Sequence, residues 1–317
     1  MSNPIAVILN ISAGAGDDKK AVADNLTAIF RSGGLDACVT LTSSGTEIFE
    51  AARHAARQKP RAVVAGGGDG TINTVASILV GSNIALGVLP LGTLNHFAKD
   101  LSIPLELEAA THNIIAGHAI QIDVGEVNGR IFLNNSSLGL YPTMVIHRQK
   151  QQERLGRRKW PAFVWATLTM LRRYPFMNVR LSTNDEEFIR RTPFVFIGNN
   201  EYQMDGFNIG VRGCLDAGQL SVYVPHRTGR LGLLRLALRA LFGRLREAKD
   251  FDALCTQSIS IETHRKRLHV AIDGEVTSMD TPLQYRVRPG ALRVIVPKSR
   301  ESSDMEEIEH AHARTSL

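Results

Sequence analysis

The hydrophobic pattern changes once along the chain, near Asp123, and this change restricts the folds available to it. From residue 5 to about 125, short apolar runs such as IAVILN and RAVVAG are separated by helix-length segments. Strands with little alternation that are separated by helices are typical of a parallel sheet covered on both faces. After Asp123, short alternating segments such as PFVFIGN and RLHVAID follow one another. This second pattern is typical of an antiparallel sandwich or barrel.

The predicted domains follow this change of pattern. Residues 1–125 are predicted to form a Rossmann-like parallel α/β domain, and residues 126–297 a β-rich, β-sandwich-like domain. Two longer segments, 147–173 and 229–250, interrupt the second domain and are predicted to be helical. The tail at 298–317 lacks apolar periodicity, so it is predicted to be disordered.

The composition is that of an ordinary globular protein, with 44% hydrophobic and 21% charged residues in a chain of 317. The start, MSNPIAVILN, has no basic segment followed by a long apolar one, and no apolar run reaches the span of a bilayer, so we expect a cytoplasmic protein. Cys38, Cys214 and Cys255 are too far apart for a metal motif. The net charge of +6 suits nucleic acid, anionic lipid or a phosphate-bearing ligand equally.

The strongest local signal is a glycine-rich turn in RAVVAGGGDGTINTVASIL, where a strand runs into residues 66–71 and then directly into a helix. Glycines allow positive φ angles and let an anion approach main-chain N–H groups, and the helix adds the positive end of its dipole. A tight turn would explain one or two glycines, whereas four around an Asp and a Thr favour a phosphate site. Thr71 replaces the third small residue of a dinucleotide fingerprint, and the Walker A and protein-kinase motifs are absent.

Two further turns end predicted parallel strands in the same way. The segment IALGVLPLGTLNHFAKDL contains Pro90, Gly92 and Thr93 before Asn95 opens a helix, and LNISAGAG places Asn10 at the end of the first strand. Because ligands bind at the carboxyl ends of parallel strands, the three turns predict one binding edge.

GGGDGTIN, LGVLPLGTLNHFA and the late IDGE together resemble the soluble diacylglycerol kinase catalytic family, which includes bacterial lipid kinases and the sphingosine and ceramide kinases. The resemblance extends over nearly the whole chain, although GGDGT alone is shared with NAD kinases. It implies an ATP- and Mg²⁺-dependent kinase that phosphorylates a lipid hydroxyl, in the first place that of diacylglycerol or a related lipid.

The resemblance also implies roles for individual residues. In the family an Asp in a DGE motif acts as the base, and that Asp falls on Asp273, where local sequence alone predicts a β-turn. For Thr42, a solvated threonine at a strand end is an equal alternative to a contact with ATP. The residues expected to bind the nucleotide are Asn10, Thr42, Gly66, Gly67, Gly68, Asp69, Gly70, Thr71, Ile72, Asn73, Gly92, Thr93, Asn95 and Glu275.

One loop departs from the family pattern. The family carries Asp immediately before Gly in a second-domain loop, where the Asp and flanking carbonyls hold a structural magnesium ion. Here the loop reads GCLDAGQL, with Ala217 at the Asp position and Asp216 one residue earlier. The candidate ligands are therefore Asp216 and the carbonyl positions Cys214 and Gln219, and the metal is either lost or held differently. A second departure is Leu94 in GTLN.

A kinase of lipids must reach a membrane surface, and the two interrupting segments could provide the contact. Residues 229–250 carry a stripe of leucines beside arginines, and residues 147–173 combine basic residues with tryptophans. Burial of the same stripe against the protein's own sheet is an equal alternative. Nucleic-acid binding is disfavoured because no recognised module is present. Edge strands of the β-rich domain would allow a homodimer, but the sequence does not decide this.

Two other functions remain open at this stage. The first is a kinase of a soluble alcohol such as NAD. The second is a nucleotide- or lipid-binding protein without catalysis, which Ala217 motivates, while the presence of Asp69, Thr71, Thr93 and Asp273 argues against it.

Overall fold

The fold was analysed in a computed structural model, which describes residues 4–12, 19–139, 142, 176–183, 186–203, 211–212, 214–225 and 251–298. The chain divides into two compact units. The first contains Met1–Ile122 and Gly290–Leu317, and the second contains Asp123–Pro289. Both segments predicted to contact a membrane, 147–173 and 229–250, lie outside the described residues.

The first unit is built on a parallel sheet. Its strands are β1 (Ile5–Asn10), β2 (Ala37–Thr42), β3 (Ala62–Gly67) and β4 (Ala85–Pro90), in the order β2-β1-β3-β4. Every neighbouring pair among them is parallel, and every residue of β3 and β4 is buried. The apolar runs without alternation are explained by this burial on both faces.

Among the residues that the structure describes, five helices accompany this sheet: α1 (Lys19–Ser32), α2 (Gly45–Arg57), α3 (Asp69–Leu79), α4 (His96–Asp100) and α5 (Leu107–Ala116). Helix α1 packs against α5, and α2 packs against α3. At the start of α2 the Ser44 hydroxyl accepts the Glu47 N–H at 3.2 Å, and the Glu47 carboxylate accepts the Ser43 N–H at 2.7 Å. The N–H of Ser43 is the main reason why the pKa of Glu47 is lowered.

The C-terminal strand ends in the first unit. Within β18 (Leu283–Ile295), Val294 pairs in parallel with Leu86 of β4, and the Val296 N–H donates to the His118 carbonyl at 2.9 Å. The sequence pattern grouped residues 126–297 together, because ALRVIV alternates like the strands before it. Pairing with β4 places the last part of this strand in the first unit instead.

The second unit contains short, mostly antiparallel strands. The first of them, β5 (Ala119–Val127), begins in the first unit and enters the second at Asp123. The others are β6 (Arg130–Phe132), β7 (Asn135–Gly139), β8 (Met177–Ser182), β9 (Glu187–Thr192), β10 (Phe194–Asn199), β11 (Tyr202–Gln203), β12 (Val211–Arg212), β13 (Leu220–Pro225), β14 (Phe251–Thr256), β15 (Ser258–Thr263), β16 (Arg267–Ile272) and β17 (Glu275–Asp280). One sheet has the strand order β14-β13-β10-β7-β16-β17. In a second row of hydrogen-bonded strands, the first residues of β18 pair with β15, β15 pairs with β8, and β8 pairs with β9.

The two rows of strands in the second unit share one apolar core. Val179, Ile261 and Tyr285 from one row belong to the same buried cluster as Val195 and Val270 from the other. Burial raises the pKa of Tyr285 well above its ordinary value, and its hydroxyl lies 3.0 Å from that of Ser136. The prediction of a parallel α/β domain followed by a β-sandwich-like domain is therefore confirmed.

Across the described ranges, the helices are all too short or too polar to cross a bilayer.

Candidate active site

The first glycine-rich turn joins β3 to α3, and its glycines are required for space. Gly68 precedes the helix with φ −87° and ψ −178°, which is extended backbone that any residue can adopt. A Cβ on Gly67 would lie 2.5 Å from the Thr71 hydroxyl oxygen, and one on Gly66 would lie 2.7 Å from a methyl carbon of Leu9. The expectation that these glycines supply positive φ angles is wrong. They are needed because neighbouring groups approach the backbone closely.

The first turn lies directly against the second. A Cβ on Gly92 would lie 2.5 Å from the Cα of Gly68, and a Cβ on Gly68 would lie 3.4 Å from the Cα of Gly92. The Leu91 N–H donates to the Gly67 carbonyl at 2.9 Å, and this hydrogen bond links the two turns. The turns at the ends of β3 and β4 therefore form a single backbone surface, as the sequence predicted.

Helix α3 presents its first N–H groups at this surface. The first intrahelical bond runs from the Ile72 N–H to the Gly68 carbonyl at 3.1 Å. In an α-helix the N–H groups that precede such a bond, here those of residues 69–71, have no partner within the helix. Such N–H groups, together with the helix dipole, favour a negative charge at this end of the helix. The side chain of Ile72 is fully buried in the core, so its predicted role could only involve the main chain.

Asp69 joins this turn to the next helix. Its two carboxylate oxygens accept the N–H groups of His96 at 3.3 Å and Phe97 at 3.2 Å, at the start of α4. The carboxylate therefore caps α4 while it lies in the first turn of α3, where a negative charge is favourable.

Asn95 holds the second turn in shape. It has φ 50° in the left-handed region, its Oδ1 accepts the Gly92 N–H at 3.0 Å, and its Nδ2 donates to the Gly92 carbonyl at 2.9 Å. Asn95 is thus a buried structural residue, while Thr93 and Leu94 beside it are exposed. An exposed hydroxyl at this edge is available to a ligand.

The end of β1 is also tied to the first turn. Asn10 donates from Nδ2 to the Thr71 hydroxyl at 3.0 Å and accepts the Ser12 N–H at Oδ1, also at 3.0 Å. The structure therefore brings Asn10, Thr71 and the two glycine turns together. Thr42 differs, because it is buried and its hydroxyl donates to the Leu9 carbonyl at 3.2 Å. The prediction of a solvated threonine at the strand end is therefore wrong for Thr42. Its hydroxyl forms an additional hydrogen bond between β1 and β2.

In the second unit, Asp273 occupies the two-residue turn between β16 and β17. Asp273 has φ 46° and Gly274 φ 86°, which are the left-handed angles of a hairpin turn. Its carboxylate also accepts three main-chain N–H groups, from Leu133 at 2.8 Å, Asn134 at 2.9 Å and Asn135 at 3.0 Å. Asp273 is therefore both the turn residue that local sequence predicts and an anchor for a distant loop. Glu275 is exposed at the start of β17.

A buried arginine holds the other side of that loop. Arg212, with only 4% of its surface exposed, donates to the Leu133 carbonyl at 2.7 Å and to Oδ1 of Asn134 at 2.9 Å. The side chain of Asn199 donates to the same Leu133 carbonyl at 3.0 Å. Sequence reasoning missed Arg212 and the loop at 133–135, and the paired asparagines of FLNNSS were the only local signal.

The residues of the GCLDAGQL loop do not fit a magnesium ion. Ala217 offers a methyl group where a carboxylate is required, and the carbonyls of Leu215 and Gln219 accept the N–H groups of Asp123 at 2.8 Å and Asn200 at 3.0 Å. Magnesium takes oxygen ligands, so the thiol of Cys214, whose pKa is raised mainly by partial burial, offers it nothing. In the part of the chain that the structure describes, no three His, Cys, Asp or Glu side chains converge on a metal site.

Comparisons with known proteins agree with both halves of this description. Residues 4–127 match the diacylglycerol kinase catalytic domain, and residues 144–296 match the YegS C-terminal NAD kinase beta sandwich-like domain. A protein from Klebsiella pneumoniae (strain 342), named probable lipid kinase YegS-like, is 36% identical over 45% of this chain and 48% of its own length. The chain thus spans about half the length of that relative.

Two further matches extend over nearly the whole length of both chains. A protein from Salmonella newport (strain SL254), named probable lipid kinase YegS, is 29% identical over 94% of this chain and 98% of its own. The crystal structure of a diacylglycerol kinase from Bacillus anthracis str. Sterne shares the fold with a TM-score of 0.70, at 21% identity over 94% of this chain and 98% of that one. Both parts of the chain therefore match domains found in lipid kinases of the diacylglycerol kinase type, the diacylglycerol kinase catalytic domain at residues 4–127 and the YegS C-terminal domain at residues 144–296.

Proposed function

We propose that this protein transfers the γ-phosphoryl group of ATP, with Mg²⁺, to a hydroxyl group of a lipid, in the first place diacylglycerol or a related lipid. The observation that carries the proposal is the contact between Gly68 and Gly92, which joins two strand-end turns into one surface beside the start of α3. A phosphate chain needs a surface of this kind, because its oxygens must approach main-chain N–H groups closely.

The phosphate groups of ATP are assigned to the N–H groups of residues 69–71. The Thr71 hydroxyl, oriented by Asn10 at 3.0 Å, and the exposed hydroxyl of Thr93 supply further hydrogen bonds. Most of the rate of phosphoryl transfer comes from such positioning and from stabilisation of charge. Gly66 and Gly67 support the geometry by leaving room for Leu9 and Thr71.

Magnesium would neutralise the phosphate oxygens when it is bound with ATP. Asp69 fits a contribution to its binding, because its carboxylate lies in the first turn of α3 and its hydrogen bonds to the N–H groups of Phe97 and His96 are long, 3.2 and 3.3 Å. Each carboxylate oxygen can accept more than one hydrogen bond, so capping of α4 and contact with a metal-bound water are compatible.

Asp273 is proposed to receive the proton of the substrate hydroxyl. Three N–H donors stabilise the ionised form of a carboxylate and hold it in one orientation, and a base needs both.

The lipid substrate and action at a membrane surface are proposals as well. The names of the curated relatives support a lipid, and the net charge of +6 favours approach to an anionic bilayer. The second-domain family is named after the NAD kinase sandwich, so NAD is the appropriate soluble acceptor to compare.

The test is transfer of labelled γ-phosphate from ATP to a panel of lipids in mixed micelles and to NAD. We expect product with a lipid, loss of product with Asp273→Asn, and no loss with Asp280→Asn, an exposed aspartate at the end of β17 that forms an ion pair with Arg267. Product with NAD alone, or binding of ATP without any transfer, would overturn the proposal. Melting curves of each variant distinguish lost chemistry from lost folding.

A further inference from the structure

We infer that the loop at residues 214–219 is closed by the buried carboxylate of Asp123, and that its order is independent of divalent cations. This inference concerns the stability of the second unit and does not rest on the proposed function.

Asp123 binds the loop at two points. Its Oδ2 accepts the Gly218 N–H at 2.6 Å, and its own N–H donates to the Leu215 carbonyl at 2.8 Å. Asp123 is 1% exposed, so its charge must be compensated within the protein. A short hydrogen bond from a main-chain N–H to a carboxylate is one of the stronger ways to do so. Gly218 has φ 68°, a left-handed angle that glycine adopts at little cost.

The rest of the loop is held by the protein as well. The Gln219 carbonyl accepts the Asn200 N–H at 3.0 Å, and the side chain of Asn199 donates to the Asp123 carbonyl at 2.8 Å. The carbonyls of Leu215 and Gln219 thus each accept an N–H group of the protein. A cation inserted here would have to compete with these bonds and would meet the methyl group of Ala217.

The exposed carboxylate of Asp216 gives the competing explanation. It lies in the same loop, one residue before Ala217, and could hold a cation from outside. The two aspartates therefore make opposite predictions. If Asp123 closes the loop, Asp123→Ala destabilises the protein and Asp216→Ala does not. If a cation bound by Asp216 closes it, Asp216→Ala destabilises the protein only when that cation is present.

The experiment is hydrogen–deuterium exchange of the full chain without nucleotide, in EDTA and in Mg²⁺ or Ca²⁺, with melting curves of both variants. We expect the amides of 214–220 to be equally protected in all three solutions. We expect Asp123→Ala to lower Tm by roughly 5 °C and Asp216→Ala to leave it unchanged.

Loss of protection of 214–220 in EDTA would overturn the inference, and so would a Tm of Asp123→Ala equal to that of the wild type. Should Asp123→Ala fail to fold, exchange in the wild-type protein still decides, because only a cation in this loop makes its protection depend on EDTA. Exchange is read peptide by peptide, so metal bound at the phosphate surface cannot be mistaken for metal in the loop.

Discussion

Asp273 and Asn135 are joined by two reciprocal hydrogen bonds. The Asp273 N–H donates to the Asn135 carbonyl at 2.9 Å, and the Asn135 N–H donates to Oδ1 of Asp273 at 3.0 Å. With the bonds from Leu133 and Asn134, the side chain proposed as the base also fixes the loop before β7. Substitutions at this position therefore affect structure and chemistry together, and a test must separate the two.

Asp273→Asn is expected to reduce both kcat and stability. The amide Oδ1 can keep the bonds to Asn134 and Asn135, but an amide NH₂ would face the Leu133 N–H, which now bonds to Oδ2 at 2.8 Å. An N–H left without an acceptor costs about 1–3 kcal/mol. Urea unfolding measures this cost, and initial rates at saturating ATP should fall about 100-fold or more.

The pH profile separates the base from the anchor. If Asp273 acts as the base, kcat of the wild type falls at acidic pH and this acidic limb disappears in Asp273→Asn. An acidic limb that is unchanged in the variant would assign to Asp273 the role of an anchor alone. Asp280→Asn provides the matched control for the loss of one negative charge from the same hairpin.

Gly92→Ala is expected to weaken ATP binding by about 10-fold or more. The new Cβ would lie 2.5 Å from the Cα of Gly68 and 2.7 Å from Oδ1 of Asn95, so the two turns must separate. Titration with a fluorescent ATP analogue measures the change in Kd. Gly45→Ala is the control, because a Cβ at that position has nothing within 4 Å. Equal affinity in both variants would contradict the assignment of this surface to the phosphate groups.

Asp69→Ala should lose stability and part of its Mg²⁺ dependence together. Removal of the carboxylate leaves the N–H groups of His96 and Phe97 without their cap, which costs about 0.5–2 kcal/mol. The loss of a negative charge near the phosphate groups should also weaken the dependence of the rate on Mg²⁺. Asp36→Ala, an exposed aspartate of the same unit, is the control for both measurements. A stable variant with an unchanged Mg²⁺ dependence would refute both roles.

The sequence predicts the fold well because the relevant signals are local. Buried strands such as β3 and β4 are apolar at nearly every position, and a strand that enters a helix through glycines and Asp69 indicates its turn directly. The predicted use of these glycines was wrong because close contacts between separate turns, such as that between Gly68 and Gly92, leave no trace in the neighbouring sequence.

The cluster around Asp273 in the second unit could not be predicted for the same reason. Leu133 lies 140 residues from Asp273 and 79 residues from Arg212 along the chain. In the sequence, neither Arg212 nor the adjacent Asn134 and Asn135 belong to a motif that would indicate which residues they contact. Asp123, near which the hydrophobic pattern changes, shows its function only through its contact with Gly218, 95 residues away.

Arg212→Met is expected to destabilise the second unit by about 3 kcal/mol, because the Leu133 carbonyl and Oδ1 of Asn134 each lose a donor in a buried environment. Arg212→Lys should lie between this variant and the wild type, since an ammonium group lacks the planar fork that reaches both acceptors at once. Urea unfolding followed by tyrosine fluorescence measures both changes.

The exposed pair of Arg267 and Asp280 provides the contrast for this prediction. Its atoms approach to 2.8 Å, but the two side chains are 69% and 75% exposed, so Arg267→Met should change stability by less than about 1 kcal/mol. If Arg212→Met and Arg267→Met unfold at the same urea concentration, the loop at 133–135 does not depend on Arg212. If Arg212→Met alone is destabilised and also shows a lower kcat with unchanged ATP affinity, the arginine orients Asp273 through this loop.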